Sequence, residues 1–413
     1  MGKGKQRRVY VAALMLAGFL LAAGCSSSAT SALKIGTVPD DEVWIGLEAP
    51  LTGDQAGVGI DMLRGAEMAA NALNGNGGIG GKQVKIVPID DRADPKVGVV
   101  AARAAIAEGL SAVVGPYNSG VGSKTLPLYI EAGIVPLRFT SADTTQGLGF
   151  TLQPMTSQIA PVATTAITEW AGAKKVALIF DSSTEYTVEA DKAMVASLRA
   201  AGVEVVADIP VEPGQKEYTA AVAAANAKGA DLVYLVTYYP EAAVLAKEML
   251  SSGTSAKCLG DYSATDDAFV EAAGPEAAKN CPLVGVPAPS DFPDSAELVA
   301  KFKVEFGEEP GTWSPYAYDS VNVLAEAAEE ASGFEAKPLQ AALESADGSM
   351  GWTGPVSFEV PSGNRIPAPV VVVAPGMDGM LHVDESWAMA TGFNAGYASP
   401  RTVDKSGPAN PVG

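Results

Sequence analysis

The chain has 413 residues, 47% hydrophobic and 18% charged, which suits a globular protein of about two domains and excludes a disordered one. Its formal net charge of −20 repels phosphate backbones and anionic surfaces, which excludes a basic nucleic-acid groove. One histidine, His382, and three cysteines, Cys25, Cys258 and Cys281, are too few for a His-rich metal site, a CxxC pair or an iron–sulfur ligand set, so neither metal nor cofactor is expected and most catalysis is disfavoured.

In chain order, Lys3, Lys5, Arg7 and Arg8 precede an apolar run from Val9 to Ala23, the charged and hydrophobic regions of a signal peptide over residues 1–24. The run is too short for an ordinary membrane span. It ends in Leu21-Ala22-Ala23-Gly24-Cys25, which resembles the bacterial lipobox and implies cleavage before Cys25 and lipidation on it. Loss of residues 1–24 removes four basic residues and no acid, leaving the rest near −24. Residues 25–43, rich in Ser, Ala and Thr before Pro39-Asp40-Asp41-Glu42, read as a flexible tether. Export leaves Cys258 and Cys281 as an even pair outside the reducing cytosol, and a disulfide between them is expected; two buried free thiols are the alternative.

From Trp44 onward short apolar runs alternate with Ala-rich amphipathic segments, the pattern of βαβ units. Strands are expected at 43–47, 84–90, 112–115 and 135–138, with helices at 61–73, 95–108 and 122–132. The pattern restarts with strands at 176–180, 203–209, 232–236, 257–259 and 284–286 and helices at 187–201, 218–228 and 241–252. Helices at 316–331 and 338–346 and strands at 356–358 and 370–374 follow, then loop or tail from Thr391. The expected fold is α/β: two doubly wound, parallel-sheet lobes.

In such a fold a ligand binds where the carboxyl ends of the strands converge. The residues there include Asn118 and Ser119, Thr140, Ser141 and Ala142, Asp181 to Tyr186, Tyr238 and Glu241, and Asp261 and Tyr262, a set rich in hydroxyls and aromatic rings. Asn118 and Ser119 precede a helix and can hold a carboxylate without a basic residue. Asp261, Glu241 and Asp181 are candidates for neutralising an ammonium, and Tyr186 and Tyr238 for packing on a side chain. Taken singly, Ser119 also reads as a helix cap, Asp181 as a solvated turn residue and Glu241 as a first-turn helix acid.

The sequence resembles the periplasmic branched-chain amino acid binding proteins, the substrate-binding components of ABC importers. The resemblance rests on Ala49-Pro50-Leu51-Thr52-Gly53, Arg64-Gly65-Ala66, Gly77-Gly78-Ile79-Gly80-Gly81-Lys82, Asp90-Asp91-Arg92-Ala93-Asp94-Pro95, Gly133-Ile134-Val135-Pro136, Tyr238-Tyr239-Pro240-Glu241 and Gly354-Pro355-Val356-Ser357-Phe358, and spans nearly the whole chain after the signal. It implies a Venus-flytrap fold of the periplasmic binding protein type 1 kind, with three crossings between lobes. One lobe would comprise 44–160 and 288–367, the other 161–287 and 368–395, followed by a tail at 396–413. By that resemblance Ser119 binds a ligand carboxylate with neighbouring amides, Thr140, Ser141 and Ala142 add contacts, and Tyr186 and Tyr238 face the ligand. Two positions depart from the family pattern: Ala142 replaces a threonine, and the ammonium-pairing acid falls at Tyr262, with Asp261 one residue early. A small aromatic or aliphatic carboxylate therefore rivals an amino acid. Arg138, where a small neutral residue is usual, reads as a cleft-rim salt-bridge residue or a carboxylate partner.

The resulting expectation is a monomeric, lipid-anchored, extracytoplasmic binding protein that closes on a small molecule and delivers it to an ABC permease, with a ligand sensor as the alternative. An enzyme is not expected: the chain has no Gly-x-Gly-x-x-Gly loop, Walker motif or Gly-x-Ser-x-Gly elbow, and His382 reads as a surface residue beyond the last strand.

Overall fold

The computed structural model describes residues 38–391; the expected signal peptide, Cys25, most of the tether and residues 392–413 lie outside the described residues. Strands β1 (Glu42–Ala49), β2 (Gln83–Asp90), β3 (Ala112–Val114) and β4 (Val135–Leu137) form a parallel sheet in the order β2-β1-β3-β4. Helices α1 (Ala56–Gly75), α2 (Pro95–Glu108) and α3 (Ser119–Glu131) connect them. The ends of α2 follow from local chemistry: the Asp94 side chain accepts from the amides of Lys96 and Val97, Pro95 opens the first turn, and Gly109 closes the helix at φ 93°.

After α4 (Thr156–Thr165) the alternation resumes with β5 (Lys175–Asp181), α5 (Glu185–Ala200), β6 (Glu204–Val211), α6 (Thr219–Ala227), β7 (Leu232–Val236), α7 (Tyr239–Ser251) and β8 (Lys257–Gly260). Short helices α8 (Asp267–Ala273) and α9 (Pro275–Asn280) lead to β9 (Leu283–Gly285). All five residues of β7, Leu-Val-Tyr-Leu-Val, are buried, as suits a central parallel strand covered on both faces. Each large aliphatic side chain there contributes about 1.5–3 kcal/mol of burial.

The chain then leaves this sheet. Helices α10 (Ala296–Phe306), α11 (Ser314–Glu330) and α12 (Ala336–Ser345) precede a small sheet of β10 (Asp347–Gly351), β11 (Gly354–Glu359) and β12 (Asn364–Arg365). Helix α11 packs along α1, and Gly65 permits the approach, since a Cβ there would collide with the Ser314 carbonyl. Asp61 of α1 accepts from the amides of Gly311, Trp313 and Ser314 at 2.8–2.9 Å, fixing the start of α11. The chain finally returns to the larger sheet as β13 (Val371–Pro375) and β14 (Leu381–Val383), before α13 (Glu385–Thr391). The seven-stranded order is β14-β13-β9-β8-β7-β5-β6. It is parallel from β6 to β9, whereas β13 runs antiparallel to both β9 and β14, so the expected parallel sheet carries an antiparallel edge.

Cys258 of β8 and Cys281 after α9 form a disulfide, as expected. Three expectations change. His382 lies within β14, not past the last strand; it is about 29% exposed and bonds Asp291 through Nδ1 at 2.9 Å and Asp378 through Nε2 at 3.0 Å. Arg138 is fully buried away from any rim, donating to Asn364 Oδ1 at 2.7 Å and to the carbonyls of Thr140 and Ser362. Asp181 is buried, and its side chain accepts from the amide and hydroxyl of Ser183, so it is not a solvated turn residue.

Candidate functional site

The site begins with a backbone constraint at the end of β3. Gly115 has φ 102°, and a Cβ there would collide with the Glu48 carbonyl of the neighbouring strand; glycine alone turns the chain into the loop that opens α3. Asn118 occupies the cap position in extended conformation but makes no capping bond with its side chain. Its amide nitrogen donates instead to Gln55 Oε1 at 2.9 Å and to the Tyr238 hydroxyl at 3.4 Å. Its side-chain oxygen is buried without a hydrogen-bond partner.

Ser119, the first residue of α3, is buried, and its Oγ accepts the Ala142 amide at 3.1 Å. The hydroxyl therefore joins the loops after β3 and β4 and does not cap its own helix. The loop after β4 is itself tied down. The hydroxyls of Thr140 and Thr145 share a bond at 2.7 Å, and the Ser141 carbonyl accepts from Thr156 through both its amide and its hydroxyl. The Leu51–Thr52 loop after β1 is held by Asp90, which accepts from both amides and from the Thr52 hydroxyl.

Facing these loops are the ends of the strands of the larger sheet. Tyr238 caps α7, and its ring centroid lies 6.4 Å from that of Tyr186 in the first turn of α5. Burial pushes the Tyr238 hydroxyl up to about 12 and raises that of Tyr186 as well, so both phenols are neutral donors at physiological pH. Tyr186 donates to Asp261 Oδ2 at 3.1 Å. Asp261 also accepts from the Tyr234 hydroxyl at 2.7 Å and from the amide and hydroxyl of Ser263. Burial raises its pKa, and these donors partly offset the rise.

One residue on, Tyr262 points elsewhere. Its hydroxyl donates to Gln153 Oε1, and its ring packs edge-on to Trp313 at 5.6 Å, with Tyr117 packed against the same tryptophan at 5.6 Å. Of the expected residues, Asn118, Ser119, Ala142, Tyr186, Tyr238 and Asp261 thus form a connected set, while Thr140 is spent inside its own loop. Glu241 lies in the first turn of α7, and its carboxylate accepts the Gly214 amide from the loop between β6 and α6. Sequence reasoning missed Gln55, Gln153 and Trp313. Only Trp313 left a signal, an aromatic residue placed before Ser314-Pro315 at a helix start.

Residues 42–375 match the family model described as periplasmic binding protein. The chain belongs to the periplasmic binding protein family. Among its relatives, an amino acid binding protein of Pseudomonas aeruginosa is 34% identical over 308 residues, covering 72% of this chain and 81% of that one. The Leu/Ile/Val-binding protein homolog 2 of Brucella abortus is 28% identical over 342 residues, covering 81% and 91% respectively. A solved leucine binding protein from Thermotoga maritima shares the fold at TM-score 0.76 and 21% identity, covering 83% of this chain and 97% of that one. Relatives in this family are solute-binding proteins, not enzymes, and family membership places the chain outside the cytoplasm. Among the described residues no helix is long and apolar enough to cross a membrane.

Proposed function

We propose that this periplasmic binding protein is a lipid-anchored solute receptor of an ABC importer, tethered through Cys25, which captures a hydrophobic amino acid between lobes comprising about 44–160 with 288–367 and 161–287 with 368–395. The observation that carries the reading is the meeting of Asn118 and Tyr238, from strand ends of the two different sheets, beside Ser119 and Tyr186. Ser119 Oγ accepts from Ala142 and keeps its own O–H for a ligand carboxylate. Tyr186 donates to Asp261, which leaves its oxygen lone pairs for an ammonium N–H with the Asp261 charge behind them. The names of the relatives support an amino acid as the solute.

A second reading, a small carboxylate without an ammonium, is favoured by one observation. The position where the family's acid is expected holds Tyr262, and Asp261 already accepts four hydrogen bonds within its own lobe. Thermal melts of the chain with L-leucine, L-isoleucine, L-valine, benzoate and 4-methylpentanoate separate the readings. A ligand of the native state at about 100 times its Kd adds about 2.7 kcal/mol of stability. Ser119→Ala, which also leaves the buried Ala142 amide without its acceptor at a cost of about 1–3 kcal/mol to the unliganded chain, and Tyr238→Phe are each expected to reduce that ligand-induced shift. Retained shifts in both variants would refute this assignment of the site.

A further inference from the structure

The two sheets are also joined away from the proposed ligand contacts. Helix α5, which follows β5 of the larger sheet, carries Glu185 and Glu189 four residues apart and therefore on one face. Both carboxylates reach elements of the smaller sheet's side. Glu185 accepts from the Ser123 hydroxyl of α3 at 2.8 Å through one oxygen and from the Thr144 hydroxyl at 3.0 Å through the other. Glu189 accepts from the backbone amides of Asp143 and Thr144, the first two residues of the turn Asp143–Thr145. The segment gripped in this way is the continuation of the Thr140–Ala142 loop, whose Ala142 amide is bound by Ser119. A third link, from the Tyr239 hydroxyl to the Asp54 carbonyl at 2.8 Å, joins α7 to the loop after β1.

From this geometry we infer that Glu185 and Glu189 form a closure latch: a pair of carboxylates that touches no ligand, fastens α5 to the 143–145 turn in the closed form, and sets the rate at which bound solute escapes. The latch rests on the solute-binding reading and deepens it by naming positioning residues for capture. Carboxylates suit the task because charge-assisted bonds to amides and hydroxyls form only when the lobes meet; on opening, the two side chains, both partly exposed even here, return to water at little cost. A ligand that adds contacts in the closed form shifts the same equilibrium, so latch and ligand reinforce each other.

The test uses Glu189→Ala, Glu185→Ala, the double variant and Glu189→Gln, with two readouts. Amide hydrogen exchange over residues 142–146 is followed in the unliganded chain and in 10-fold stepped L-leucine; affinity and dissociation rate for L-leucine are measured on the same proteins. In the double variant the exchange of the Asp143 and Thr144 amides is expected to rise about tenfold, and L-leucine to dissociate about tenfold faster with little change in association rate. Glu189→Gln, which keeps one acceptor oxygen, is expected to fall between wild type and Glu189→Ala. Exchange equal to wild type with and without L-leucine overturns the latch, as does an affinity loss confined to the association rate. If wild type itself does not bind L-leucine, the amino-acid reading fails separately and the exchange comparison alone decides on the latch.

Discussion

Replacing Asp261 with asparagine distinguishes an acid that organises the site from one held ready for a ligand alone. Its carboxylate accepts from Tyr234, from Tyr186 and twice from Ser263, at 2.7–3.1 Å, and it is almost fully buried. Asparagine with its oxygen in the Oδ2 place keeps the three bonds from Tyr186 and Ser263 and loses the one that Oδ1 accepts from Tyr234. At about 1.5 kcal/mol for a bond to a charged group, the loss is about 1.5 kcal/mol. Relief of the desolvation that raises the Asp261 pKa returns part of it. With an unfolding entropy of about 2.1 cal/mol/K per residue, the unliganded Tm should fall by about 1–2 °C. The assay is differential scanning calorimetry of wild type and Asp261→Asn without ligand, followed by L-leucine titration. The variant should lose both stability and affinity, because Tyr234 loses its acceptor and the charge behind Tyr186 is removed. An unchanged unliganded Tm would refute the reasoning and mark Asp261 as a free ligand group.

Further outcomes follow from other parts of the molecule. Replacing Cys258 and Cys281 with alanine should cost about 3 kcal/mol by loop entropy, given their separation of 23 residues, measured by urea unfolding. Burial lowers the His382 pKa, but its bonds with Asp291 and Asp378 outweigh this and raise it above 6.5; its contribution is therefore fully present below pH 6.5 and lost as the pH rises through the raised value. His382→Asn should flatten that part of the Tm–pH curve. Asp91, pushed up to about 7 by burial, keeps a proton in the folded chain that the unfolded chain releases near 3.8, so stability should fall as pH rises from about 4 to 7. Asp91→Asn should reduce that slope, and an unaltered slope would contradict the assignment.

Local signals made much of the fold readable. The strand at 232–236 and the helix at 95–108 have the limits expected from their sequences, because an apolar run bounded by polar residues and the Asp94-Pro95 start with Gly109 at the end are complete within the segment. Helices α4 and α10 and the short α8 and α9 escaped: α4 contains Pro161, and α10 fully buries Phe302 alone, with Leu298, Val299 and Phe306 half-buried against the core. The three-residue β14 follows the Gly376-Met377-Asp378-Gly379 turn and pairs with β13 alone at the sheet edge, so His382 lies inside a strand that its own segment does not mark. Arg138 was misread for a different reason, since its partners Ser362 and Asn364 lie more than 220 positions away.

The site was legible as a set of strand ends but not in its orientations. Ser119, Tyr186 and Tyr238 could be named from their places after strands, whereas the direction in which Asp261 and Tyr262 point depends on the tight turn they open, with Asp261 accepting the Ser263 amide. The cross-sheet carboxylates gave no sequence signal beyond the place of Glu185 in a helix's first turn, because the acceptor role of Glu185 and Glu189 exists only when α3 and the 143–145 turn are brought alongside.

The most direct test of the account is titration calorimetry of the chain with the matched pair L-leucine and 4-methylpentanoate, which differ only in the ammonium-bearing position. Saturable one-to-one binding of L-leucine, at least tenfold tighter than its des-amino partner and weakened by Ser119→Ala, is the predicted result. Tighter binding of 4-methylpentanoate would transfer the site to the carboxylate reading, and binding of L-leucine indifferent to both the ammonium and Ser119 would contradict the proposed capture site.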